Sequence, residues 1–154
     1  MRTYLLLLSL VALAASAAGC CSIGLGSCKT TDKLTFIGST DLNSCTDSQS
    51  HAVSVRVYYL TKPHTFEEAD FESLWWEEDT VFADGSRLDM HPLKVYPGSH
   101  ESHPLTRPAG ATHLGLVANF CDLETTRCWR TAIPLEGGGL KQTITLEQTC
   151  LAVE

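Results

Sequence analysis

The chain has 154 residues, with 11 Lys+Arg against 18 Asp+Glu and a formal net charge of −7. So acidic a composition lacks the clustered basic side chains that phosphate backbones require, which argues against nucleic acid as a partner, and anionic lipid headgroups would repel it as well. The length suits one domain with its own core, and no repeat, coiled coil or second domain is evident.

Arg2, an apolar run from Leu5 to Leu13 and a small-residue exit through Ala15-Ser16-Ala17-Ala18-Gly19 lead to Cys20. That is the pattern of a cleaved export signal, and the run is shorter than the ~20 apolar residues of a spanning helix. Ala17, Ala18 and Gly19 before Cys20 match a lipobox, although Leu is usual where Ala17 stands. Residues 1–19 therefore read as a lipoprotein signal peptide, with Cys20 receiving a diacylglycerol and an N-acyl group. The alternative is cleavage after Ala15-Ser16-Ala17, which leaves a soluble periplasmic protein. Loss of residues 1–19 removes Arg2 alone among the charges and leaves a mature net charge of −8. With ~0.8 kcal/mol per buried methylene, acyl chains rather than a basic patch hold such a chain on a membrane.

Residues 20–32 are rich in Gly, Ser, Thr and Cys without periodicity and read as a flexible tether, with the folded domain spanning 33–154. Leu34 to Ile37 is a short strand, followed by the polar loop Gly38 to His51. Val53 to Leu60 alternates strictly, with Val53, Val55, Val57 and Tyr59 on one face and Ser54, Arg56 and Tyr58 on the other. After Lys62-Pro63, Asp70 to Glu77 reads as a short helix N-capped by Asp70. A helix so short needs a sheet to dock on, so Phe71, Leu74 and a tryptophan are expected to cover one. Leu93 to Tyr96 is a strand ended by Pro97-Gly98. Thr112 to Cys121 is another, with Leu114, Leu116, Ala118 and Phe120 on one face. Cys128 to Ile133 and Gln142 to Leu146 follow, separated by a Gly137-Gly138-Gly139 turn. Short strands at about ten-residue spacing with one small helix predict an all-β sandwich.

Seven cysteines in an exported chain read as disulfides, and six remain if Cys20 is lipidated. Cys121 and Cys128 flank a polar segment between two strands and are expected to pair across a hairpin. Cys45 with Cys150 and Cys21 with Cys28 complete the set. Thiolate metal ligation is the competing reading, but no C-x-x-C spacing is present.

His91, His100 and His103, with Glu101 nearby, form the densest group of metal-ligand types. On a strand His100 and His103 point to opposite faces, so they do not share an ion. Glu67, Glu68, Asp70, Glu72, Glu77, Glu78 and Asp79 read as a solvated acidic face. No Gly-x-Ser-x-Gly or comparable motif supports a nucleophile, so no catalytic residue, metal or soluble cofactor is assigned. A periplasmic lipoprotein that binds a metal ion or small ligand is the alternative to a protein-binding module, with an envelope hydrolase third.

In order the chain carries Asn43, Val55-Arg56-Val57-Tyr58-Tyr59-Leu60, Phe66-x-x-Ala69-Asp70-Phe71-x-x-Leu74, Tyr96-Pro97-Gly98, Leu114-Gly115-Leu116-Val117-Ala118-x-Phe120 and Trp129-Arg130. After a lipobox, this series resembles the type VI secretion lipoprotein (TssJ) family over nearly all of residues 33–147. The resemblance implies a transthyretin-like β-sandwich of seven to eight strands, anchored in the outer membrane, facing the periplasm and not catalytic. It implies a partner, the periplasmic C-terminal region of the inner-membrane protein TssM. The contact loop maps onto Gly38 to His51, with Asp41, Leu42, Asn43 and Ser44 as contributors and Leu42 as a small apolar anchor. The cysteine content exceeds the family pattern, and Cys45 lies inside the contact loop. Cys21, not Asp, follows Cys20, which implies sorting to the outer membrane.

Overall fold

Alternating strands of this composition must bury one face each, and two packed sheets are the solution the chain adopts. The computed structural model describes residues 29–45, 49–123 and 128–154. The signal peptide, Cys20 and the expected Cys21–Cys28 pair lie outside the described residues.

Eight strands are described: β1 (Thr31–Gly38), β2 (Val53–Leu60), β3 (Arg87–Val95), β4 (His100–Thr106), β5 (His113–Asn119), β6 (Arg130–Pro134), β7 (Lys141–Leu146) and β8 (Leu151–Val153). One sheet has the order β4-β1-β7-β8 and the other β3-β2-β5-β6. β1 and β7 run parallel, and every other pair is antiparallel. Pro92 and Pro104 fall on β3 and β4, both edge strands, where a missing N–H costs no ladder bond.

The inter-sheet core contains Leu34 and Phe36 of β1, Val53, Val55, Val57 and Tyr59 of β2, Leu114, Leu116 and Ala118 of β5, and Ile144 and Leu146 of β7. These are the faces the alternation predicts. Burial of each such side chain contributes roughly 1.5–3 kcal/mol. β2 is covered on its other face as well, where Tyr58 and Leu60, with Val117 of β5, pack against Phe66, Leu74 and Phe82.

Those three residues come from the β2–β3 connection, which holds three short helices: α1 (His64–Glu68), α2 (Phe71–Trp76) and α3 (Glu78–Val81). The single expected helix is thus joined by two more, each too short to leave a periodic signature. Asp70 does cap α2, accepting the Ser73 N–H at 2.8 Å. Gly115 on the outer face of β5 lets the segment approach, since a Cβ there would lie 3.0 Å from the Phe66 ring. Trp75 stacks on Phe71 at 5.5 Å, and the Arg56 guanidinium lies 4.2 Å from its ring centre.

The expected tether is corrected at its end. β1 starts at Thr31, not Lys33, because Asp32 is wholly buried by partners from three other segments. The strand expected at Leu93 to Tyr96 begins at Arg87 and pairs with the whole of β2. β8 is an additional three-residue strand on β7.

Asp32 meets Tyr59 at one end of the sandwich, and Gly38 meets Tyr96 at the other. The β1–β2, β3–β4, β5–β6 and β7–β8 connections therefore share one end. The chain enters β1 at the opposite end.

Candidate functional site

The β1–β2 loop leaves β1 at Gly38 and is pinned from its first residues. Ser39 N–H donates to Leu146 O at 2.9 Å, and His51 N–H closes the loop on Leu42 O at 2.9 Å. Leu42 is fully buried in the inter-sheet core. The expectation of Leu42 as an exposed apolar anchor is corrected: the only large aliphatic side chain of the described loop plugs the end of the core instead.

Asn43 is also buried, with a positive φ of 51°, a conformation Asn tolerates through local hydrogen bonding. Its Oδ1 accepts the Cys121 N–H at 2.8 Å, and its own N–H donates to Gln148 O at 2.7 Å. Asn43 is a brace between three loops. Of the other two predicted contributors, Asp41 is exposed and Ser44 half-buried. Gln148 Nε2 donates to both the carbonyl and the hydroxyl oxygen of Ser44 at 3.2 Å.

Two disulfides complete this end, and their pairing overturns the expected one. Cys45 bonds Cys121 with Cα atoms 6.4 Å apart, and Cys128 bonds Cys150 at 5.0 Å. Cys121 does not reach across its own hairpin because the β1–β2 loop lies against the end of β5, where Asn43 already binds its N–H. Cys128 precedes β6, the edge strand stacked beside β8 of the other sheet, and Leu151 N–H donates to Cys128 O at 2.9 Å. Of the six cysteines expected in disulfides the four among the described residues are so bonded, but between sheets and loops. A groove of about 680 Å³ opens beside the Cys45–Cys121 bond, lined also by Ser44, Leu123, Gln148 and Thr149.

At the opposite end Asp32 is held by Arg107 Nη2 at 2.6 Å, Arg107 Nε at 3.0 Å, the Tyr59 hydroxyl at 2.8 Å and the Leu140 N–H at 2.7 Å. Burial by itself raises the Asp32 pKa, but these donors outweigh it and keep the carboxyl below its ordinary 3.8. Burial, reinforced by the bond to Asp32, pushes the Tyr59 hydroxyl upward. No sequence signal singles out Asp32, because its partners lie tens of residues away.

The histidines do not converge. His100 is exposed, while His103 turns inward, edge-on to Phe36 with ring centres 5.8 Å apart and 3.7 Å from Glu101. His91 lies on the other sheet, 3.2 Å from Asp89. Among the described residues no group of three His, Cys, Asp or Glu side chains is placed to hold a metal ion.

The acidic face is solvated at Glu67, Glu68, Glu72 and Glu77 but not throughout. Glu78 accepts from Arg56 at 3.1 Å and from the Tyr58 hydroxyl at 2.9 Å, and its other oxygen lies 3.1 Å from Arg87. Arg130 donates to the carbonyls of Phe66 and Ala69, and burial lowers its pKa. These arginines fasten the helical segment to the sheet.

Residues 30–149 match the family model of type VI secretion lipoproteins (T6SS-SciN; VasD, EvfM, TssJ). The fold is similar to TssJ1 from Pseudomonas aeruginosa, with a TM-score of 0.77 at 21% identity over 82% of this chain and 95% of that one. It is also similar to Serratia marcescens Lip, a membrane-bound component of the type VI secretion system, at 0.75 and 22% over 82% and 96%. A chain in a structure of a type VI membrane complex matches at 0.74 and 19% over 82% and 98%. No curated protein matches in sequence. A match over most of the domain, on a two-sheet sandwich of the same architecture, settles the affiliation: this chain belongs to the type VI secretion lipoprotein family, a structural component of that system and not an enzyme.

Proposed function

We propose that this protein is an outer-membrane lipoprotein, anchored through acylated Cys20 on the periplasmic face, that holds the periplasmic C-terminal region of a TssM-like inner-membrane protein. The observation that carries the reading is the polarity of the sandwich. The chain enters β1 at Thr31, and the loop after β1 emerges at the other end, so an anchor on the tether directs that loop away from the membrane. Eight residues of β1 separate the two ends by about 26 Å.

The loop end suits a protein partner rather than a substrate. Its loops are cross-linked to one another, it carries the exposed Asp41, and its groove is open. Likeness to a chain in a structure of the TssM C-terminal domain (869–1107) from EAEC, at a TM-score of 0.69 and 19% identity over 81% of this chain and 98% of that one, is consistent with the partner named. Cys21 after Cys20, in place of Asp, favours the outer membrane.

Two measurements test the reading. Palmitate incorporation is expected in the wild-type chain and absent from Cys20→Ala, with the unacylated variant released into periplasmic extracts; equal labelling of both refutes the anchor. The lipidated chain in vesicles is expected to bind the TssM periplasmic region at micromolar concentration or tighter, and no binding refutes the tether.

A further inference from the structure

The burial of Leu42 leaves the contact loop without an apolar side chain to insert into a partner. Among the described residues four large hydrophobic side chains are exposed: Trp76 at 71%, Tyr96 at 54%, Leu88 at 39% and Val153 at 37%. Trp76 ends α2 on the outer face of the second sheet, beside Glu72 and Glu77, while Leu88 opens β3 toward the end where the chain enters and Val153 closes β8 on the edge of the first sheet, opposite Ile144. Tyr96 is the member of this set that belongs to one of the loop-end connections, the one between β3 and β4.

The backbone of Tyr96 is held by a turn. Tyr96-Pro97-Gly98-Ser99 forms a type II turn: Ser99 N–H donates to Tyr96 O at 3.0 Å, and Gly98 has the φ of 69° required at its position. Tyr96 N–H donates in turn to the Ser99 hydroxyl at 3.2 Å. The turn is bonded to the root of the contact loop, with Gly98 N–H on Gly38 O at 2.9 Å and Gly38 N–H on Ser99 O at 3.0 Å. A Cβ on residue 38 would stand 2.3 Å from Tyr96 O, so the fit is close enough to require glycine. An aromatic ring on a fixed backbone loses little conformational entropy on binding, and exposed Tyr is among the residue types that dominate interface energetics.

We propose that Tyr96 is the aromatic anchor of the partner-binding end, seated in an apolar pocket whose rim carries Lys or Arg. The basic rim follows from charge: among the described residues Asp41, Glu101 and Glu147 are exposed at this end against Lys94, and the mature chain carries −8. This inference rests on the reading of the protein as a tether for a TssM-like region and names the side chain through which it holds on.

The test uses the lipidated chain in phosphatidylethanolamine–phosphatidylglycerol vesicles and the TssM periplasmic region as probe. Tyr96→Ala is expected to raise Kd about 30-fold, mostly through faster dissociation. Tyr96→Phe stays within about threefold because the ring, not the hydroxyl, fills the pocket. Trp76→Ala leaves Kd unchanged, and thermal melts of the three variants confirm that folding is intact. Raising salt slows association of every variant alike. Binding by Tyr96→Ala within twofold of wild type overturns the anchor while leaving the tether standing. No binding by the unsubstituted chain overturns both.

Discussion

Arg107 grips Asp32 with two parallel hydrogen bonds, at 2.6 and 3.0 Å, across 75 residues of sequence. The pair closes the sandwich where the chain enters it, and Tyr59 of the opposite sheet shares the same carboxylate. The first strand, which follows the proposed tether, is thereby tied to both sheets.

Asp32→Asn is expected to cost about 3–5 kcal/mol at pH 7, because it leaves the Arg107 guanidinium with a poorer, uncharged partner in a buried site. The folded-state pKa of Asp32 lies below the ordinary 3.8, so its contribution is complete above that value and is lost as pH falls through it toward the folded-state value. Urea unfolding of wild type from pH 7 to pH 2 should therefore approach that of Asp32→Asn below about pH 4. Parallel curves throughout would show that the carboxylate contributes nothing specific.

Cys45–Cys121 closes a span of 76 residues and Cys128–Cys150 one of 22. In the chain-entropy model these contribute about 4.5 and about 3.4 kcal/mol. The Cys45→Ser/Cys121→Ser variant should be the less stable of the two double variants, by about 1 kcal/mol in denaturant unfolding. It should also bind the TssM region more weakly at temperatures well below its melting point, since Asp41 and Ser44 lose their fixed presentation. Equal affinity with lowered stability would restrict the bond to a structural role.

Tyr58→Phe removes the hydroxyl that Glu78 accepts at 2.9 Å on the covered face of β2. Glu78 keeps Arg56 and Arg87, so the expected loss is about 1.5 kcal/mol and not the full cost of an orphaned charge. Native-state hydrogen exchange should locate the loss in the helical segment. Uniform loss of protection over both sheets would contradict this assignment.

Gly38→Ala forces a methyl group against Tyr96 O and should cost about 1–3 kcal/mol by overpacking. If Tyr96 anchors the partner, the displaced turn also weakens binding, and the effect disappears in a Tyr96→Ala background. Additive losses in the double variant would separate the two residues.

Readings carried by chain-local periodicity matched the structure. The two faces of β2, the inward row Leu114, Leu116, Ala118 and Phe120, the Asp70 cap and the opposed His100 and His103 all follow from side-chain alternation or helix-end chemistry within a few residues. The two extra helices escaped because five and four residues give no period to read.

What the tertiary structure decided is which distant groups meet. Asp32 sits in a Ser- and Thr-rich stretch indistinguishable from tether until Arg107, Tyr59 and Leu140 surround it. Leu42 looked like an apolar tip on a polar loop, yet the loop folds back and buries it. Cys121 and Cys128 are near neighbours in sequence, but the crossing of β1–β2 over β5 and the stacking of β6 beside β8 give each a nearer thiol. Strand alternation, helix capping and the family pattern are written in contiguous residues. Buried ion pairs, disulfide partners and the exposed anchor depend on how two sheets stack, and that arrangement is set by the sum of many weak contacts between residues far apart in the chain.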